Sequence, residues 1–351
     1  MAIASGAVLL DTQALTLADQ AIISNDPLVK EITKALHKTW NALKDIPLTT
    51  SPSLRQVGVR FTNQVGSLPT INWATVNEEP TVSKGKPKQY EESMYLVRNK
   101  IQVDHVLLDQ PNNIVDPIEA QVQIFMESFA YDFNTKFINN DPTSATGDVD
   151  CFPGLRYRLA NPDQFDIPAE MSVNANGTNL TTTGTTASGI ANNLMLYMQQ
   201  LLDNMNSPDG DGVVFYVSER MKRRIEWAIR NMGIGAGFDI TRDSFDRPVE
   251  KYKAATVRSV GRRADGITQV LKDEVGSTGA EATTATGFES IYAVRYGSGY
   301  ATGWQSGPFK PTYLGLSKEN GVLHNIVFDW GVGLWTPHVR AVGRIYNIQV
   351  A

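Results

Sequence analysis

Four histidines (His37, His105, His324 and His338) and one cysteine (Cys151) are the only imidazole and thiol groups in this chain that could bind a metal or act as nucleophiles. Zinc sites are most legible in sequence as two histidines one helical turn apart, and no such pair occurs. Cys151 stands alone, so neither an intrachain disulfide nor a thiolate cluster can form, and no Gly-x-Ser-x-Gly elbow supplies a serine nucleophile. Gly233-Ile234-Gly235-Ala236-Gly237 has the glycines of a phosphate loop, but it follows a helical pattern. A dinucleotide fingerprint follows a strand and opens a helix, so a helix stop and loop is the better reading. Asp209-Gly210-Asp211-Gly212 is too short for a calcium loop and reads as a turn. Carboxylates are plentiful without a pattern that pairs two as acid and base. The residues therefore predict no enzyme activity, and no catalytic, cofactor or metal site.

Positive charge clusters in two places. Arg220, Lys222, Arg223, Arg224 and Arg230 lie along one helical pattern, with Arg262 and Arg263 further on. Lys84, Lys86 and Lys88 lie in a polar turn. A DNA-binding face is one reading of the helix. The formal net charge of −5 favours the other, a solvated face or ion pairs to acidic residues of a neighbour, because affinity for nucleic acid rests on clustered cations neutralising phosphates.

The elements that must position these residues are legible from periodicity. Residues 1–24 carry no sustained period and read as a loose arm. Asp26 and Pro27 open a short amphipathic helix through Leu28, Ile32, Leu36, Trp40 and Leu43, which Pro47 stops. Val57–Phe61, Thr70–Val76 and Tyr90–Val106 are rich in β-branched and aromatic residues, and the charged Gly/Pro stretch between them marks a turn. Together they predict a long hairpin with a polar tip. A lone two-stranded ribbon is marginal in water, so it requires a surface to lie upon, and another copy of the chain is the economical candidate. Asp116-Pro117-Ile118-Glu119 opens the strongest periodic segment, with Ile118, Val122, Phe125, Met126, Phe129, Phe133 and Phe137 on one stripe, read as core. A Thr, Gly and Asn tract over 174–189 predicts a surface loop. A helix from Ser188, a strand over Val213–Val217 and a helix capped by Ser218 follow. Ile267–Leu271, Ile291–Tyr296, Val322–Phe328 and Ala341–Val350 read as strands. The class is α+β with a substantial antiparallel component.

Composition bounds the rest. With 351 residues, 42% hydrophobic, 9% aromatic and 20% charged, the chain has ordinary globular usage and enough length for one large or two medium cores. No run approaches the roughly 18 apolar residues of a membrane span, and Met1–Leu10 lacks the basic start of a signal peptide, so no membrane partner and a cytoplasmic site of synthesis are expected.

The order of these elements resembles the major capsid proteins of tailed bacteriophages, whose Hong Kong 97-like fold is shared with encapsulins. Phe125 to Asp141 looks like the family's spine helix and its terminal turn, and Phe152-Pro153-Gly154-Leu155-Arg156 is similar to the element that follows it. Val213 to Arg220, with Arg223 and Arg224, looks like the strand and basic helix of the axial domain. Val260–Gly266, Ile291–Gly297 and Ala341–Ile345 extend the resemblance. It implies an N-terminal arm and short helix over 1–56 and an extended β-hairpin loop over 57–106. A peripheral domain over 107–187 would carry the spine helix at 117–141. An axial domain would span 188–320, and C-terminal strands over 321–351 would return to the peripheral domain. Hexamers and pentamers of the chain would then form an icosahedral virion capsid, assembled in a host cytoplasm around double-stranded DNA held without sequence preference. Relatives often carry a long charged helical segment before the arm; none is visible, so a separate scaffolding protein is expected, along with a portal protein and room for a decoration protein. Some members cross-link a loop lysine to a neighbouring asparagine. Lys84, Lys86 and Lys88 are the candidates at this loop tip, though exposed lysines on a polar hairpin need no special cause. An encapsulin-type compartment enclosing a cargo enzyme is the alternative reading. A hydrolase with an unrecognised site and a nucleic-acid-binding module are the rivals from other classes.

Overall fold

The computed structural model describes residues 42–51, 53–60, 69–85, 87–108, 117–144, 147–179, 187–232, 238–242, 248–271, 273–276, 278–282, 286–297, 299–317 and 321–350. The arm and most of the short helix expected from Asp26 lie outside them; the described end of that segment, Ala42–Lys44, is a 3-10 turn. Strands β1 (Leu48–Thr50), β2 (Arg55–Arg60), β3 (Lys88–Ser93) and β4 (Tyr95–Asp104) precede the long helix α1 (Pro117–Asn139) and the short helix α2 (Leu155–Ala160). Then come β5 (Ser172–Asn179), α3 (Ala187–Asn204), β6 (Val213–Val217) and α4 (Glu219–Met232). The chain continues through β7 (Phe238–Arg242), β8 (Pro248–Tyr252), β9 (Ala255–Ser259), β10 (Glu274–Val275) and β11 (Ala280–Glu281). It ends with β12 (Phe288–Arg295), β13 (Thr302–Gln305), β14 (Pro311–Leu316), β15 (Leu323–Trp335) and β16 (Val342–Gln349).

The described strands build two main sheets, giving the α+β class. One has the order β5-β16-β12-β6-β9-β8-β7. Its central strand β6, Val-Val-Phe-Tyr-Val, is buried at every position, as a continuous apolar run covered on both faces must be. The other runs β1-β13-β15-β14, with β4 also paired to β15. Three expectations are corrected. The tract read as a surface loop contributes β5, which pairs in parallel with β16 from Ser172 opposite Arg344. Ile267–Leu271 forms no strand, only a bridge between Gln269 and Arg262. The second arm of the expected hairpin divides: β3 pairs with β2, whereas β4 leaves to pair with β15, Asp104 opposite Leu323 and Tyr95 opposite Val332. Ladder hydrogen bonds to a buried strand satisfy β4 better than extension of a solvated ribbon would.

Helix α1 joins the two sheets through its aromatic stripe. Near its start Phe125 meets Phe328 at 4.3 Å between ring centroids, and Phe129 meets Trp330 edge-on at 5.8 Å, both on β15. Near its end Phe137 meets Tyr216 of β6 edge-on at 5.5 Å. The stripe is thus core, as the periodicity predicts.

The turn that ends α1 is fixed by Asn140. Its buried amide Nδ2 donates to the carbonyls of Asp148, Cys151 and Phe152, and its Oδ1 accepts from the Asp148 N–H at 3.0 Å. Gly154 N then donates to Asn140 O at 2.9 Å. A Cβ on Gly154 would lie 2.7–2.8 Å from Asn140 N, Ile138 O and Lys136 O, all backbone atoms that cannot step aside. Gly154→Ala is therefore expected to destabilise the protein by about 1–3 kcal/mol, read as a lower urea midpoint at unchanged slope.

Candidate functional site

The groups singled out for chemistry are dispersed. Cys151 is largely buried, and that burial pushes its thiol up to about 12, the opposite of an activated nucleophile. His338 is half-buried against Tyr300, and burial with Arg295, Arg340 and Arg60 nearby holds its pKa below the usual value. His105 and His324 lie together at a sheet margin, 3.4 Å apart. His37 and Gly233–Gly237 lie outside the described residues. Asp209–Gly212 is a turn, with φ of 83° at Gly210 and 69° at Gly212. Among the described residues no three His, Cys, Asp or Glu side chains gather as a metal site.

The basic helix α4 is partly neutralised from within the chain. Ser218 caps it, accepting from the Met221 N–H at 2.9 Å, and also donates to Glu289. Arg220 donates to Glu289 at 2.8 Å and to Asp273 at 2.7 Å. Lys222 lies 3.4 Å from Glu250, and Arg262 pairs with Glu219 at the start of the helix. Burial raises the Glu289 carboxyl, against the opposing pull of Ser218 and Arg220. Arg223 is exposed and Arg224 half-buried. The ion-pairing partners of Arg220 are thus residues of its own chain, where the charge pattern left open a neighbour or DNA.

The residues that sequence alone did not single out are those at the root of the β2–β3 hairpin. Two guanidinium groups, Arg60 on β2 and Arg158 on α2, are each only 1% exposed. Arg158 grips both carboxylate oxygens of Glu92 on β3, at 2.7 and 2.9 Å, and donates to Thr336 Oγ1 and to Pro153 O. Thr336 gives its own proton to Glu92 at 3.1 Å, so the 3.0 Å contact with Tyr90 has the tyrosine as donor. Arg60 donates to the carbonyls of Phe165, Thr336 and Pro337 and to Asp166, and its guanidinium lies 3.5 Å above the centre of the Tyr90 ring. Gly58 completes the contact: a Cβ there would sit 2.7 Å from the Trp335 ring. Buried cations are tolerated when their protons find acceptors, and here the acceptors come from Glu92 of β3, from the β15–β16 connection and from the segments on either side of α2. The hairpin is clamped to its own body.

Beyond the clamp, residues 69–85 lie open. Thr70–Val76, expected as a strand, pairs with no described strand. Ile71, Trp73, Val76 and Val82 are 81%, 96%, 91% and 88% exposed. The segment turns on local bonds: Glu78 accepts from the Thr75 N–H at 2.9 Å, which holds its carboxyl below the usual range, and Asn77 sits at φ 73°. Lys84 is exposed on this loop, and Lys86 lies outside the described residues. Lys88 is not at the tip. It stands on β3 opposite Arg60 and pairs with the same Asp166 that Arg60 holds.

Two outcomes follow from burial. Arg158→Met strands the Glu92 charge in the clamp and is expected to cost about 3–5 kcal/mol in urea unfolding, with Arg158→Met/Glu92→Gln recovering part of the loss. Cys151 is expected to resist iodoacetamide near pH 8 in the native protein and to react once the chain is unfolded in urea, measured by intact mass.

No family model matches the sequence, and no curated protein matches it. Solved structures do. The chain is similar to the holo-SrpI encapsulin complex from Synechococcus elongatus PCC 7942, with a TM-score of 0.52 at 13% identity, over 87% of this chain and 86% of that one. It is also similar to the capsid of the empty GTA particle, with a TM-score of 0.51 at 14% identity, over 90% of each chain. With a long helix bridging two sheets and a clamped hairpin projecting from them, the chain has the Hong Kong 97-like major capsid fold.

Proposed function

We propose that this chain is the structural subunit of a self-assembling protein shell, most specifically the major capsid protein of a tailed-phage virion. One observation carries the proposal: the loop over 69–85 presents four large apolar side chains to solvent at 81–96% exposure on a root that the same chain holds rigidly. Large apolar groups gathered on one projecting loop mark a surface awaiting a partner. A second copy is the natural occupant, since the fold is one that shells are built from. Every subunit both presents a loop and receives one. Many such contacts, each modest, sum to a stable closed assembly while remaining individually reversible, so that misplaced subunits can leave.

In this reading the subunits form hexamers and pentamers around packaged double-stranded DNA, with a separate scaffolding protein and a portal as partners, and assembly in the host cytoplasm. The proposed division is the arm and short helix at 1–56, the extended loop at 57–106, the peripheral domain at 107–187, the axial domain at 188–320 and returning strands at 321–351. Lys84 travels with the loop and would lie against the neighbour. The encapsulin reading keeps the same subunit mechanics and differs in contents; the similarity to an encapsulin complex favours it as the second choice. Genes for portal, terminase and scaffold beside this one, as opposed to a cargo enzyme, would separate the two.

Replacing residues 62–86 with a short Gly-Ser turn keeps the clamp residues Arg60, Lys88, Tyr90 and Glu92 in place. The expected product is folded, soluble monomers or small capsomers with no closed shells in negative-stain images, under conditions where the unaltered chain, with scaffold supplied, makes shells. Shells of normal size from the shortened chain would defeat the proposal.

A further inference from the structure

The histidines that sequence spacing leaves unconnected are brought together by strand pairing. His105 follows the end of β4 and opens one helical turn, His105–Leu108; His324 lies on β15, beside β4; Tyr313 lies on β14, on the other side of β15. His324 Nε2 and His105 Nδ1 face each other at 3.4 Å, and the opposite nitrogen of His324, Nδ1, is hydrogen-bonded to the Tyr313 hydroxyl. The His324 ring stacks on Tyr313 at 5.8 Å and meets the His105 ring at 5.6 Å. The His105 backbone N–H is held by Val322 O at 2.8 Å, so the junction carrying this imidazole is tied to β15 by main chain as well.

The separation is informative. At 3.4 Å the pair stands at the long limit of a hydrogen bond. Two nitrogens at ~2.0–2.1 Å from one tetrahedral ion, by contrast, lie about 3.4 Å apart. The hydrogen bond on the far side of His324 is what a ligating imidazole requires: with the ring proton on Nδ1 and donated to Tyr313, the Nε2 lone pair is directed at the gap. His105 is exposed and His324 half-buried, so an ion can reach both.

We propose that His105 and His324 form a two-imidazole site for a divalent first-row transition ion of the zinc and copper kind, with Tyr313 as the positioning residue. Imidazole nitrogen suits such ions and suits magnesium and calcium poorly. Among the described residues two ligands are supplied, His105 and His324, and water can fill further positions. An ion bound there pins the end of β4 to β15, and through Tyr313 to the edge strand β14, three elements that are distant in sequence.

The test is calorimetric titration of the untagged chain with zinc chloride, repeated with magnesium chloride. One zinc ion per chain is expected, with no magnesium heat and with binding lost on acidification as protons compete for the nitrogens. His105→Ala and His324→Ala are each expected to weaken zinc at least tenfold, and Tyr313→Phe by about tenfold, the scale on which outer partners of metal-bound histidines act. Because His105 and Tyr313 are exposed and His324 only half-buried, circular dichroism is expected to be unchanged in each variant. Absence of zinc binding by the unaltered chain, or equal binding by the His105→Ala/His324→Ala double variant, overturns the assignment and leaves the shell proposal untouched.

Discussion

Two buried guanidinium groups set the terms for the rest of this molecule. A cation withdrawn from water costs several kcal/mol unless its protons are nearly all met, and meeting them demands acceptors in fixed places. Arg158 demands both oxygens of Glu92, the Thr336 hydroxyl and the Pro153 carbonyl. Arg60 demands three carbonyls and Asp166. These acceptors come from β3, from the connection between β15 and β16, and from the segments on either side of α2. Since hydrogen bonds are directional, satisfying them fixes the angle at which the hairpin leaves the body as well as the fact of its attachment.

The clamp can act as a fixed point because what lies beneath it is stiff. Helix α1 touches β15 at one end and β6 at the other through consecutive aromatic rings, so neither sheet can shift without disturbing the same stripe. Asn140 and Gly154 then close the end of that helix onto the chain leading to Arg158. The route from the core to the projecting loop is therefore short and made of buried, hydrogen-bonded groups. The loop itself has almost none. This contrast between a saturated root and an unsatisfied extremity suits a part whose burial is supplied by another molecule.

How much of this was readable beforehand follows the distinction between local and distant causes. The stripe of α1, the buried run of β6, the Ser218 cap and the last strand each rest on residues within a turn or two of one another, and pattern alone locates them. Thr70–Val76 has the composition of a strand and is none, because no described strand lies beside it to accept its hydrogen bonds. Asn174–Asn179 has the composition of a loop and is a strand, because β16 lies beside it. The clamp was invisible for the same reason in stronger form: Arg158 and Glu92 are 66 positions apart, Arg158 and Thr336 are 178 apart, and no short window contains both partners. Lys88 looked like part of a solvated tip until Asp166, 78 positions away, was seen to hold it.

Asp166 itself sits in the left-handed region, at φ 54°, with Arg60 on one oxygen and Lys88 on the other, one from each strand of the hairpin. A single carboxylate thus ties both strands of the hairpin to the turn that follows α2. With Arg60 and Lys88 facing each other across the ladder and sharing that one anion, neither strand can slide past the other without breaking an ion pair, so the register of the ribbon is locked from outside its own ladder.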